Sequence, residues 1–215
     1  MTRGFTLAEV LITLVIIGVI AAITVPTLHA NYTEEEKKSK IKKGYSTLAN
    51  AMTRVRADGG GMILDYDVND DLETVQTWFE DYLEQYLITT KVCYNTSGCW
   101  SDTGSKYMNG SSAGGSTGIG YPTVTAVLND GMFINIDRCT ISSYGIKSEN
   151  QYGLIVYFDI NGNKKPNVVG KDIFLTVFTD DGLVPAFKDR TRADVKANCS
   201  SGGNGRACIM NYLRQ

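Results

Sequence analysis

Apolar positions divide the chain into three regimes. From residue 5 to 28 the run FTLAEVLITLVIIGVIAAITVPTL is apolar at nearly every position, with one acid, Glu9, near its start. As a helix rising about 1.5 Å per residue this run spans roughly 36 Å, more than a hydrocarbon core of about 30 Å, so the pattern predicts a transmembrane helix over residues 5–28. In residues 29–57 the apolar positions thin to a stripe. Ile41, Tyr45, Leu48, Met52 and Val55 recur at spacings of four, three, four and three among Lys, Arg, Ser and Asn. That period predicts an amphipathic continuation of the same helix, a rod of roughly 80 Å in all. Glu34, Glu35 and Glu36 precede Lys37, Lys38, Lys40, Lys42 and Lys43, which allows i, i+4 ion pairs on the exposed face. Gly59, Gly60 and Gly61 end the pattern.

Residues 58–215 form the third regime, large enough for a globular head with its own core. Asn69 or Asp70 can cap a second helix, with Glu73 in its first turn and an apolar face of Leu72, Val75, Phe79, Tyr82, Leu83, Tyr86 and Leu87. Residues 94–120 are rich in Gly, Ser, Thr and Asn and read as a long surface loop. Strand signals follow. TVTAVL (123–128) and MFINI (132–136) flank Asn129-Asp130-Gly131, LIVYFD (154–159) comes next, and IFLTVF (173–178) and LVPAF (183–187) flank Asp180-Asp181-Gly182. These predict an antiparallel sheet of four or five strands, with Pro185 marking the last as an edge. The expected fold is α+β: a long N-terminal helix whose second half packs against a C-terminal antiparallel sheet.

Charge and candidate chemistry narrow the function. Lys and Arg number 21 against 23 Asp and Glu, a net charge of −2, which opposes general nucleic-acid affinity. The only histidine is His29, and there is no nucleophile elbow, phosphate loop or metal triad, so the sequence points away from an enzyme. All five cysteines lie in the head. Several pairings are open to them; the short Gly/Ser/Asn-rich loops favour Cys93 with Cys99 and Cys199 with Cys208, leaving Cys139 free and buried. An acid inside a bilayer costs on the order of 3 kcal/mol, so Glu9 requires a partner.

Gly4-Phe5-Thr6-Leu7-Ala8-Glu9 and the apolar run behind it resemble the prepilin processing motif of type IV pilins and type II secretion pseudopilins. The resemblance implies a leader of residues 1–4, cleavage between Gly4 and Phe5 by a membrane-embedded prepilin peptidase, and N-methylation of Phe5. The cationic amine of Phe5, with a pKa near 8, would then pair with Glu9 of a neighbouring subunit and set its register. Pro26 removes a helical donor and clashes with the Ala22 carbonyl, so the helix, which also carries Gly18, should bend or loosen there; this is an ordinary kink of a membrane helix or, as the resemblance implies, a segment that unwinds when subunits pack into a filament. Implied partners are other pilin-type subunits, the peptidase, a membrane assembly platform, and the bilayer before assembly. The implied location is the cytoplasmic membrane with the N-terminus inside and the head outside, then a periplasmic or extracellular filament. The lysines that follow the span run against the positive-inside tendency; the orientation rests on the motif. An alternative is a minor subunit whose 94–120 loop and bridged C-terminus bind a surface, DNA or a secretion cargo.

One stretch of the head resembles a ligand site. In residues 159–172, DINGNKKPNVVGKD, oxygen-bearing side chains alternate around a glycine, so Asp159, Asn161, Asn163 and Asp172 could converge on a calcium ion. The bidentate glutamate of an EF-hand is missing, and any affinity is expected to be weak. A turn-rich connection held by Asx-turns is the competing reading. No cofactor is required.

Overall fold

A computed structural model describes residues 6–59, 72–120, 123–149, 151–179 and 181–214, with the side chains of residues 23–32 outside that set. Two compact units are distinguished, residues 1–39 and 40–215. Helix α1, Leu7–Ala57, runs for 51 residues. In the first unit it carries ten large apolar side chains between Leu7 and Ile20, all exposed; Leu7 is 79% and Val15 63% accessible. Among the described residues no helix is long and apolar enough to cross a membrane.

In the second unit α1 displays the expected stripe. Ile41, Leu48, Met52 and Val55 are buried, and Tyr45 is half-buried with its hydroxyl donating to the Leu183 carbonyl at 3.0 Å. The stripe packs on a six-stranded antiparallel sheet of order β1-β4-β5-β6-β7-β8, with β1 Thr89–Tyr94, β4 Val124–Leu128, β5 Phe133–Thr140, β6 Tyr152–Asp159, β7 Ile173–Thr179 and β8 Gly182–Pro185. Two short strands, β2 Ser105–Lys106 and β3 Ser112–Gly114, pair separately. β8, which contains Pro185, is an edge, as its missing amide donor requires. Lys43 Nζ lies 2.6 Å from Asp130 Oδ2, joining α1 to the β4–β5 turn.

Three details depart from the sequence expectation. β1 adds a sixth strand, and its TTKVCY carries too few apolar residues to announce it. The second helix begins as α2, Leu72–Trp78, then widens to a π-turn over Phe79–Leu83 and tightens to a 3₁₀ turn over Glu84–Tyr86. Through this change of pitch Trp78, Phe79, Leu83 and Leu87 are all buried in the core. The proposed caps Asn69 and Asp70 lie outside the described residues.

The third departure is the 94–120 segment, which is no open surface loop. Cys99, Trp100, Ser101, Ser105 and Ile119 are buried, and Trp100 Nε1 donates to Ser105 Oγ at 2.9 Å. The reason lies in β6 and β7, apolar at both parities. Leu154, Val156 and Phe158 face the helical layer, while Ile155 and Tyr157 join Ile173, Leu175 and Val177 on the opposite face with Trp100 and Ile119. Because successive side chains of a strand point to opposite faces, such strands need cover on both, and the Gly/Ser-rich segment supplies the second layer.

Gly44 decides how closely α1 approaches the sheet. A Cβ there would lie 2.9 Å from Cδ2 and Cε2 of Phe158 and 3.2 Å from Met132 Sδ, so the helix backbone rests directly on the central strand.

Candidate functional site

Two regions carry chemistry. At the start of α1, Thr6 and Glu9 form a reciprocal cap. The Glu9 amide donates to Thr6 Oγ1 at 3.3 Å, while the Thr6 amide and hydroxyl donate to Glu9 Oε2 at 2.8 and 2.7 Å. This Thr-x-x-Glu arrangement satisfies two of the donors a helix start leaves open, and the carboxylate sits at the positive end of the helix dipole. Glu9 therefore has a partner inside its own chain, one residue from the expected cleavage point. A Thr three residues before a Glu at a helix start is the sequence signature of this local partner. Gly4, Phe5 and the Pro26 side chain lie outside the described residues.

The second region is the β6–β7 connection. Asp159 closes β6 fully buried, and its Oδ1 accepts the Asn161 and Gly162 amides, each at 3.0 Å. Its Oδ2 is buried with no hydrogen-bond partner. Asp172 is buried opposite, its Oδ1 accepting the Val168 amide and its Oδ2 the Asn167 amide, both at 2.7 Å. Neither carboxylate has a basic side chain within ion-pair distance among the described residues. Burial, reinforced by the Asp172 charge, pushes the Asp159 carboxyl up to about 8. Burial raises Asp172 as well, against the amides that stabilise its charge.

The four oxygen donors expected from the sequence are thus not gathered as one set. Asn163 turns away: its Nδ2 donates to Asp102 Oδ2 at 2.8 Å, and its Oδ1 accepts the Asp102 amide at 3.2 Å. Asp172 acts as a brace for the 167–168 turn. Asn161 stays beside Asp159. Three-dimensional contacts the sequence could not display also fix this loop. Gly170, at φ +90°, abuts Cys208 and Gly205, where a Cβ would meet Cys208 Sγ at 2.7 Å.

The disulfides are Cys93–Cys99 and Cys199–Cys208, and Cys139 is free and buried. Burial, with the Asp137 charge, pushes the Cys139 thiol far above its ordinary value. No group of three or more His, Cys, Asp or Glu side chains able to hold a metal occurs among the described residues.

Residues 1–25 match the family model described as the prokaryotic N-terminal methylation motif. No curated protein and no solved structure matches the chain. The matched segment contains the Gly4-Phe5 junction, Thr6 and Glu9, and the head behind it is a helix-backed antiparallel sheet of six strands. The chain therefore bears, over residues 1–25, a prepilin-type cleavage and methylation signal, joined to an α+β head of pilin-like arrangement.

Proposed function

We propose that this chain is a structural subunit of a type IV pilus or type II secretion filament, held in the cytoplasmic membrane by residues 5–28 and then assembled through that helix. One observation carries the reading: from Leu7 to Ile20 α1 is sheathed in exposed apolar side chains, interrupted by the single acid Glu9. Burying one such side chain is worth about 1.5–3 kcal/mol, so a surface of this kind requires lipid or like helices around it. Cleavage after Gly4 would create a cationic amine at Phe5, and methylation would keep its charge. A Glu9 carboxylate from a neighbouring subunit then neutralises that amine in a medium where a lone charge is costly, which favours one stagger over its alternatives.

Within the 94–120 segment, Trp100 and Ile119 cover the second face of the sheet.

Co-expression with a prepilin peptidase and N-terminal sequencing tests the processing. The mature chain is expected to start at N-methylated Phe5; a start at Met1, or well beyond residue 20, overturns the reading. In sheared filaments an assembled subunit should be abundant, whereas a minor one would be scarce.

A further inference from the structure

We propose that Arg206, Tyr107 and Tyr144 form an anion site on the head that takes the carboxylate of a sugar acid, such as a hexuronate. Segments distant in sequence bring its groups together. Tyr157 of β6 is buried on the face that residues 94–120 cover, and Tyr107 and Tyr144 pack against the same layer. Arg206 comes from the loop that Cys199–Cys208 closes. Its Cζ lies 5.0 Å from the centre of the Tyr107 ring and 5.6 Å from that of Tyr144, and its Nη2 donates to the Tyr107 hydroxyl at 2.5 Å. The Arg206 amide donates to Asn204 Oδ1 at 3.0 Å and the Ala207 amide to Asn198 Oδ1 at 2.8 Å. The loop that carries the guanidinium is thus held in place by its own side chains, which lowers the ordering cost of binding.

What the cluster lacks is negative charge. Among the described residues no acidic side chain lies within ion-pair distance of Arg206. Its Nε is buried without an acceptor, and the Tyr107 hydroxyl is the guanidinium's one acceptor there. A half-buried cation with unused N–H groups is costly until an anion faces it. Burial works against the charge, yet the Tyr107 hydrogen bond and the neighbouring hydroxyls outweigh it and raise the Arg206 pKa. The hydroxyls also end in donors. Tyr107 accepts from Arg206 and keeps its own proton to give, and Tyr157 donates to Tyr144, whose proton is left in the same way. One guanidinium with two neutral hydroxyls matches a single negative charge, and its planar fork matches a carboxylate. Exposed neighbours in the chain are neutral hydrogen-bonding groups: Asn109 and Ser111 beyond Tyr107, Ser142 and Ser143 before Tyr144. They suit a ligand that carries hydroxyls beside its carboxylate, which is the chemistry of a sugar acid.

The test uses the full-length chain at pH 7.5, in micelles of a detergent without a sugar headgroup, titrated with sodium D-glucuronate. Saturation-transfer NMR reads binding against micelles alone, and the fluorescence of the buried Trp78 and Trp100 follows melting of the head. Saturable binding is expected with a dissociation constant of about 1 mM, ordinary for a ligand of this size. The melting midpoint should rise by a few degrees at about ten times that concentration. D-glucose, acetate and N-acetylglycine should each bind more weakly, the first for want of charge and the others for want of hydroxyls. Arg206→Lys keeps the charge but loses the fork, and should weaken glucuronate by about tenfold. Tyr107→Phe keeps the ring against the guanidinium and so the packing; it should leave the melting midpoint of the free head within a few degrees while weakening glucuronate by about fivefold. A merely structural cluster would show no such loss. Absence of saturation by about 10 mM overturns the proposal, as does equal binding of acetate, N-acetylglycine or glucose, an equal midpoint rise with sodium chloride at matched ionic strength, or unchanged affinity in both variants.

Discussion

Gly44→Ala sets two effects of opposite sign against each other within the head. In a free helix the exchange stabilises by about 1 kcal/mol, because alanine has less backbone entropy to lose than glycine. Here the added methyl would sit 2.9 Å from two ring carbons of Phe158 and 3.2 Å from Met132 Sδ. The Phe158 ring is fully buried and flanked by Phe174, centroids 6.0 Å apart, so the helix must lift or the ring must leave its rotamer. Overpacking of a filled core costs about 1–3 kcal/mol. The net expectation is a loss of about 1 kcal/mol, which lowers the melting midpoint by about 2–4 °C in a chain of this size. Urea unfolding followed by the fluorescence of Trp78 and Trp100 reads the head directly. The cycle with Phe158→Leu identifies the cause: with the ring shortened, Gly44→Ala should become neutral or stabilising. If Gly44→Ala stabilises the head in the wild-type background, then α1 does not rest on β6 as described.

Other perturbations have equally definite outcomes. Replacing Glu9 by Ala or Lys should leave head stability unchanged but sharply reduce filament incorporation in an assembly assay, and wild-type incorporation by either variant would remove the pairing role given to Glu9. Opening the Cys93–Cys99 or Cys199–Cys208 bridge with serine pairs should cost about 2–3 kcal/mol from the loop lengths, measured by urea midpoint without reductant. Cys139, buried and with its thiol raised, should resist iodoacetamide at pH 8 in the native head and react fully in urea; rapid native labelling would contradict its burial. Thr191→Ala removes the capping box that Thr191 and Asp194 form on α3, Arg192–Asn198, and should cost about 1 kcal/mol in the same unfolding assay.

Periodicity was a good guide wherever one physical requirement governed a segment. The stripe from Ile41 to Val55, the hairpin turn at Asn129-Asp130-Gly131 and the edge strand at Pro185 follow from local rules of helix period, turn chemistry and missing amide donors. β1 escaped because an edge strand half-exposed on both faces needs few apolar residues. Residues 94–120 misled because Gly and Ser signal irregular backbone and say nothing of what that backbone covers; the apolar double parity of β6 and β7 was the readable hint. In the 159–172 loop the residue types suggested oxygen chemistry, but only the fold shows Asn163 leaving for Asp102 and Asp172 bracing amides.

From the linear chain alone come the apolar run with its solitary acid, the prepilin-type motif and the α+β class, since these depend on neighbours within a few residues or on a repeat that local geometry imposes. Tertiary structure alone decides how near α1 lies to β6 at Gly44, which layer covers the second face of the sheet, and which oxygens of the β6–β7 loop remain without donors. Those are outcomes of close packing between residues distant in sequence, where a contact of a few tenths of an ångström or one redirected amide changes the result and leaves no periodic trace in the chain.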